Sequence, residues 1–265
     1  MEYKEINNRM DSSLYQEEME IRFCQCDGNH RLKLSELFRI LTNIADMAFE
    51  YRGMDHQFLL EKQMAFLISR FSVLVYRMPV QIEKIRVATW EQSIEKAQFI
   101  RNFAVWDETG HLIIEATSGW ILVNMTEHTI MRPAQFEEKL PGALHPQPEN
   151  VSGAPAFIRL KLKENEERVQ KKSDRKIVYS DIDGNGHVDN ARYVDMVSDV
   201  LPDSLMSLAP KTAQIVFNRE ALLGETLQMY MKTDTHHALV KGKVDGKDSF
   251  ICEIDFDESK VGEMK

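Results

Sequence analysis

The sequence predicts an α+β fold made of two copies of one unit, each a curved antiparallel sheet wrapped around a long helix. Three observations predict it. A strand, a tight turn, a long amphipathic helix and a series of strands occur in that order twice. The turn carries the same scrap of sequence each time, Asp27-Gly28-Asn29 and Asp183-Gly184-Asn185, at an offset of 156. Between the two runs, five of the chain's eight prolines fall in residues 131–156, a composition that interrupts helices and sheets. The expected organisation is an N-terminal unit over 1–135, a proline-rich linker over 136–156 and a C-terminal unit over 157–265. Pairing the two sheets edge to edge would protect both exposed edges.

Element by element, residues 1–14 are polar and read as an irregular lead-in. Residues 18–26 alternate Met19, Ile21 and Phe23 against Glu20 and Arg22, which predicts a strand. After the turn at 27–30, Leu34, Leu37, Phe38, Leu41, Ala45 and Ala48 form one helical stripe that Gly53 ends. From Ala65 the texture turns to β, first at Phe66-Leu67-Ile68, then at Val73-Leu74-Val75-Tyr76, and then over 82–90, 98–107 and 112–124, the last two joined through Glu108-Thr109-Gly110 as a hairpin. The stretch 161–175 is charged, and Lys176-Ile177-Val178-Tyr179 reads as a strand entering the second turn. Ala191, Val194, Val197 and Leu201 predict the second helix, and strands are expected over 214–220, 226–233, 238–244 and 250–256.

Composition excludes several classes of function. A net charge of −9 argues against a nucleic-acid role. No run approaches the roughly 18 apolar residues of a membrane span, and the charged opening Met1-Glu2-Tyr3-Lys4 lacks an apolar signal region. The three cysteines, Cys24, Cys26 and Cys252, form no regular framework, which suits a reducing cytoplasm. Cys24 and Cys26 have no second ligand pair, so they read as thiols rather than a metal site.

Polar chemistry is concentrated in residues 179–190, on the strand-to-helix turn. Asp183, Asn185 and His187 are two residues apart, so an extended backbone sends their side chains off one face. Gly184 and Gly186 permit tight bends. Asp181-x-Asp183-x-Asn185-Gly186 matches the first half of a calcium loop, but the twelfth position is Arg192 where a bidentate glutamate is required, and the preceding element reads as strand rather than helix. A plain solvated turn explains the Asp, Asn and Gly but not His187.

The block from Asp181 to Tyr193 resembles the D-L-D-x-N-x-H-V-N-N-x-K-Y block of acyl-acyl-carrier-protein thioesterases, the hydrolases of plant plastids and bacteria. Phe217-Asn218-Arg219-Glu220-Ala221, followed by Leu227-Gln228, is similar to the family's Y-R-R-E-C segment with its later L-Q. The resemblance implies a tandem hotdog fold, hydrolysis of fatty acyl-acyl carrier protein, no metal or organic cofactor, and site residues Asp183, Asn185, His187 and Glu220. Ala221 departs from the family, many members carrying cysteine there. Four polar groups without that thiol point to acid-base chemistry on water: Glu220 as base in an apolar cleft, Asn185 orienting Glu220 or the water, His187 polarising the carbonyl or holding the water, Asp183 holding His187, and N–H groups of the following helix serving the oxyanion. Other readings are a hotdog hydrolase of acyl-coenzyme A and a non-catalytic acyl-binding protein.

In the first unit His30 and Arg31 stand where Gly186 and His187 stand, and no counterpart of Glu220 is evident. That unit is therefore expected to be catalytically silent and to hold the acyl chain, with Met47, Phe49, Met64 and Phe66 as its lining. An acidic carrier protein needs a local basic surface on an acidic enzyme, for which Arg192 and the cluster Lys171, Lys172, Arg175 and Lys176 are the candidates. A homodimer is compatible with all of this.

Overall fold

The computed structural model describes residues 14–127 and 129–257, so the lead-in expected over 1–14 lies almost wholly outside the described residues. The first half contains β1 (Leu14–Glu20), helix α1 (Leu34–Glu50), a short α2 (His56–Glu61), β2 (Met64–Val75), β3 (Lys84–Glu95), β4 (Gln98–Asp107), β5 (Leu112–Asn124), β6 (Thr129–Met131) and α3 (Pro133–Lys139). The second contains β7 (Gln170–Lys176), α4 (Asn190–Ser198), a short α5 (Asp203–Met206), β8 (Ala209–Phe217), β9 (Thr226–Thr233), β10 (His237–Val244) and β11 (Lys247–Asp257).

Among the described residues, the strands join one 11-stranded sheet in the order β1-β3-β4-β5-β2-β8-β11-β10-β9-β7, with β6 on β5. The order within each half is the same, which is the duplication read from the sequence. The halves meet edge to edge through antiparallel pairing of β2 with β8, from Arg70↔Val216 to Leu74↔Thr212. Each helix lies on the concave face: Leu37, Phe38, Leu41 and Ile44 of α1 and Ala191, Val194 and Val197 of α4 belong to one continuous buried core. This is the tandem hotdog the resemblance implied.

Local chemistry accounts for the elements. Gly53, at φ +75, closes α1 with its N–H on Glu50 O at 2.8 Å, while the Met54 N–H reaches Phe49 O at 3.0 Å, a Schellman-type end. Gly110, at φ +88, closes the β4–β5 hairpin. Ile82 does not open a strand as expected: it sits at φ +70, and β3 starts at Lys84. In the second half the equivalent position is Gly224, at φ +87. A β-branched residue carries a conformation there that suits glycine.

Two expected strands are displaced. The first runs over Leu14–Glu20, and Phe23–Gln25 is a 3-10 turn; likewise Tyr179–Asp181 is a 3-10 turn rather than the end of a strand. The true strand before the second turn is β7, whose sequence QKKSDRK has no apolar alternation. It forms the outer edge of the sheet, so neither face is buried, and its charges also discourage pairing with another chain.

The proline-rich segment is packed along its length, starting in the core shared with α1 and running on across strands β3, β4 and β2. Phe136 of α3 is fully buried. Asn150 O accepts from Trp90 Nε1 at 2.8 Å and Asn102 Nδ2 at 3.0 Å, and Pro155 O accepts from Ser72 Oγ at 2.8 Å. Beyond it, Leu162 packs on Leu239 and Ile251, and the buried Lys241 ammonium bonds Leu162 O at 2.5 Å and Glu164 at 2.6 Å.

Candidate active site

The turn over residues 178–190 folds on its own acids. The Asp183 carboxylate accepts the backbone N–H of Asn185 at 2.8 Å and of His187 at 3.4 Å, and the Gly186 N–H returns to Asp183 O at 3.1 Å. Gly186 sits at φ +83, which explains a glycine there. Asp189 caps α4 by accepting the Ala191 N–H at 2.7 Å. The second contributor is the segment after β8. The N–H groups of Asn218 and Arg219 bond Ser249 O at 2.8 and 3.1 Å, and the Ala221 N–H donates to the buried Tyr193 hydroxyl at 2.9 Å. These bonds pin the neighbours of Glu220. The Val188 N–H meets Ala221 O at 3.1 Å, and His187 pairs with Leu222 across a backbone bridge.

The outcome is one contact between residues far apart in the chain: His187 Nε2 lies 3.0 Å from Glu220 Oε2. Asp183 and Asn185 flank it on the same turn, so the structure brings all four sequence-selected residues to one place. Three expectations about their surroundings change. Glu220 lies beyond the end of β8 with its side chain 47% exposed, so no apolar cleft encloses it. Asp183 holds backbone N–H groups rather than the imidazole, whose partner is Glu220. The Ala191 and Arg192 N–H groups are already bound by Asp189, which removes them as oxyanion donors. Arg219, the alternative partner for Glu220, pairs with Glu225 at 2.7 Å instead.

The first half repeats the turn without its chemistry. Asp27 accepts the Asn29 and Arg31 N–H groups at 2.8 and 3.0 Å, as Asp183 does in the copy. The Leu32 N–H meets Pro79 O at 2.8 Å where Val188 meets Ala221, so the position matching Glu220 is Met78. Arg31 replaces the imidazole and bonds Asp27 and Met206 O, each at 3.2 Å.

Of the expected acyl-lining residues, Phe49 and Phe66 do meet, with ring centroids 5.2 Å apart, joined by Phe99 and Phe136 at 5.1 and 5.5 Å from Phe66. Met64 is fully buried, whereas Met47 lies apart on the exposed side of α1. Sequence reading missed the polar network beside this cluster. Glu91 takes Arg52 at 2.5 Å, the buried Arg101 at 3.0 Å and the His145 N–H at 2.6 Å, and both guanidiniums lie over the Phe49 ring. A charged residue inside an apolar strand, Arg101 between Ile100 and Phe103, was the available signal.

Arg192 is not a free cation. It pairs with Asp181 at 3.1 Å and Asp195 at 2.8 Å, and Arg175 reaches Asp181 at 2.8 Å. Burial by itself would raise the Asp181 carboxyl, but the Val178 N–H and the guanidiniums of Arg192 and Arg175 outweigh it and hold it below the usual carboxylate range. The stability this contributes is present above the unfolded value near ~3.9 and is lost as pH falls through the lower folded value. Below about pH 4, the wild-type Tm is therefore expected to fall more steeply than that of Asp181→Asn. Parallel Tm curves would show that Asp181 is not the linked group. Among the described residues, no group of three His, Cys, Asp or Glu is placed to hold a metal ion.

A family model described as the acyl-ACP thioesterase N-terminal domain matches residues 12–135, and the corresponding C-terminal domain model matches residues 164–258. The chloroplastic palmitoyl-acyl carrier protein thioesterase of Arabidopsis thaliana is 25% identical over 174 residues, covering 64% of this chain but only 42% of that relative's length. Among solved structures, an acyl-ACP thioesterase from Bacteroides thetaiotaomicron superposes with a TM-score of 0.82 at 23% identity, covering 94% of this chain and 100% of the other. The 12:0-ACP thioesterase from Umbellularia californica gives 0.78 at 16% identity, covering 92% and 97%. At these identities the likeness to the solved structures is one of fold.

Proposed function

The chain belongs to the acyl-ACP thioesterase family, and from that premise we propose that it hydrolyses the thioester of fatty acyl-acyl carrier protein to free fatty acid and the carrier's thiol. The observation that carries this reading to the residues is the 3.0 Å contact between His187 Nε2 and Glu220 Oε2 at an open turn. Glu220 takes a proton from water as the oxygen attacks the thioester carbonyl carbon. The carbon–sulfur bond then breaks and the thiolate leaves; with a thiol pKa near ~8.5 it needs little acid assistance. His187, donating from Nε2, fixes the Glu220 carboxylate. Asn185 offers an amide N–H for the carbonyl oxygen, and Asp183 keeps the turn that presents both. Partial exposure of the pair gives water a direct approach. A hydrolysis panel of acyl-carrier-protein thioesters of graded length, with acyl-coenzyme A in parallel, tests the reading; preference for coenzyme A would replace it with the acyl-CoA alternative. Reducing, cytoplasmic conditions, read from the cysteines, belong to the same proposal.

Ala221 is fully buried in the core. A thiol at that position would be enclosed beside Tyr193, so Ala221→Cys is expected to leave kcat within about twofold, far below the ~10²-fold or more of a true acid-base or nucleophilic group. A large gain in rate would bring back a thiol mechanism.

The first half is assigned to the acyl chain. Phe66 lies against the rings of Phe49, Phe99 and Phe136, so truncating it opens space among all three. A buried methylene is worth about 0.8 kcal/mol, roughly fourfold in discrimination. Phe66→Ala, and less strongly Met64→Ala, should lengthen the preferred chain while kcat on the best substrate stays similar. An unchanged length profile for both variants would remove the first half from chain selection.

A further inference from the structure

Beside the His187–Glu220 pair lies a run of exposed apolar side chains: Val178 at 45%, Tyr179 at 84%, Leu222 at 43% and Leu223 at 57% exposure. They form one surface. The Ile177 N–H bonds Glu225 O at 2.8 Å and the Gly224 N–H bonds Ile177 O at 3.0 Å, which lays the two segments side by side, and Leu222 is bridged to His187. Contiguous exposed apolar surface on a soluble domain marks a contact with another molecule. A neighbouring strand supplies charge. In β7, Lys171 is held by Asp174 and Arg175 by Asp181 and Asp199, but Lys172 and Lys176 are exposed and form no ion pair among the described residues. Lys176 adjoins the apolar run directly, opposite Thr226. In a chain of net charge −9, such cations set the side from which an acidic partner approaches.

We propose that Val178, Tyr179, Leu222 and Leu223, flanked by Lys172 and Lys176, are the docking surface for an acidic carrier protein, whose tethered thioester enters beside His187. This rests on the thioesterase reading and replaces Arg192 as the cation that meets the carrier. The test compares acyl-carrier-protein with acyl-pantetheine, the same thioester without the protein. Tyr179→Ala combined with Leu223→Ala should raise KM for the carrier substrate tenfold or more and leave kcat and the pantetheine KM unaltered. Lys172→Glu combined with Lys176→Glu should raise the carrier KM most at low salt and flatten its salt dependence. An unchanged carrier KM, or equal changes on both substrates, overturns the docking surface. Inactivity of the wild type on both substrates overturns the thioesterase reading instead. The surface is then decided by titrating wild type and variants with a carrier protein bearing an amide-linked acyl chain: weaker binding by the variants supports it, and equal binding overturns it.

Discussion

Glu220→Gln is expected to fold as the wild type does and to lose between about 10² and 10⁴ of kcat. The amide keeps the shape and can still face His187, but it cannot accept a proton from water. Folding should be spared because Glu220 is half exposed, and the backbone bonds that place its segment run through Asn218, Arg219 and Ala221. His187→Ala should fall in the same range, since it removes the group 3.0 Å from the carboxylate. Because the two act as a unit, the double variant should be no worse than the poorer single one, rather than showing the product of the two losses. Asn185→Ala should also be severely impaired. Near-wild-type kcat for Glu220→Gln, with melting temperatures matched, would falsify the assignment of the base.

The second large effect is on stability. Glu91→Ala leaves Arg101, 4% exposed and pushed down to about 10 by its burial, without its counter-charge. It also strips the acceptor from Arg52 and from the His145 N–H. Removing one member of a buried ion pair costs about 3–5 kcal/mol, and a Tm loss of about 10 °C follows for a chain of this size. Replacing the pair together, as Glu91→Met with Arg101→Met, should recover the part of that loss due to Arg101, whose buried charge is then gone, while Arg52 and the His145 N–H still lack their acceptor. Thermal melts of the three proteins check this. If Glu91→Ala melts within a degree or two of wild type, the network carries no net stability.

How far the sequence could be read depended on the range of each signal. β4 and β5 begin and end where their runs of apolar, β-branched and aromatic residues and the Glu108-Thr109-Gly110 turn place them, because such residues and turns impose their pattern locally. The two Asp-Gly-Asn turns proved to be one structure made twice, since an Asx turn is closed by its own acid within four residues. β7 was illegible because an edge strand of QKKSDRK buries neither face and so carries no period. Ile82 misled in the opposite way: its apolar character suggested a strand, while its backbone is held at φ +70 by the turn it replaces a glycine in.

By itself, then, the sequence of this protein determined the duplicated architecture, the helix stripes and the turn that gathers Asp183, Asn185 and His187, all of which follow from interactions within a few residues. Only the tertiary structure decided which charge faces which. Glu220 came to His187 and not to Arg219, Arg192 went to Asp181 and Asp195 and not to solvent, and Arg101 sank into the core against Glu91. A carboxylate or guanidinium on a flexible stem finds its partner among segments that meet only after the sheet has closed around the helices, and no spacing along the chain encodes that meeting.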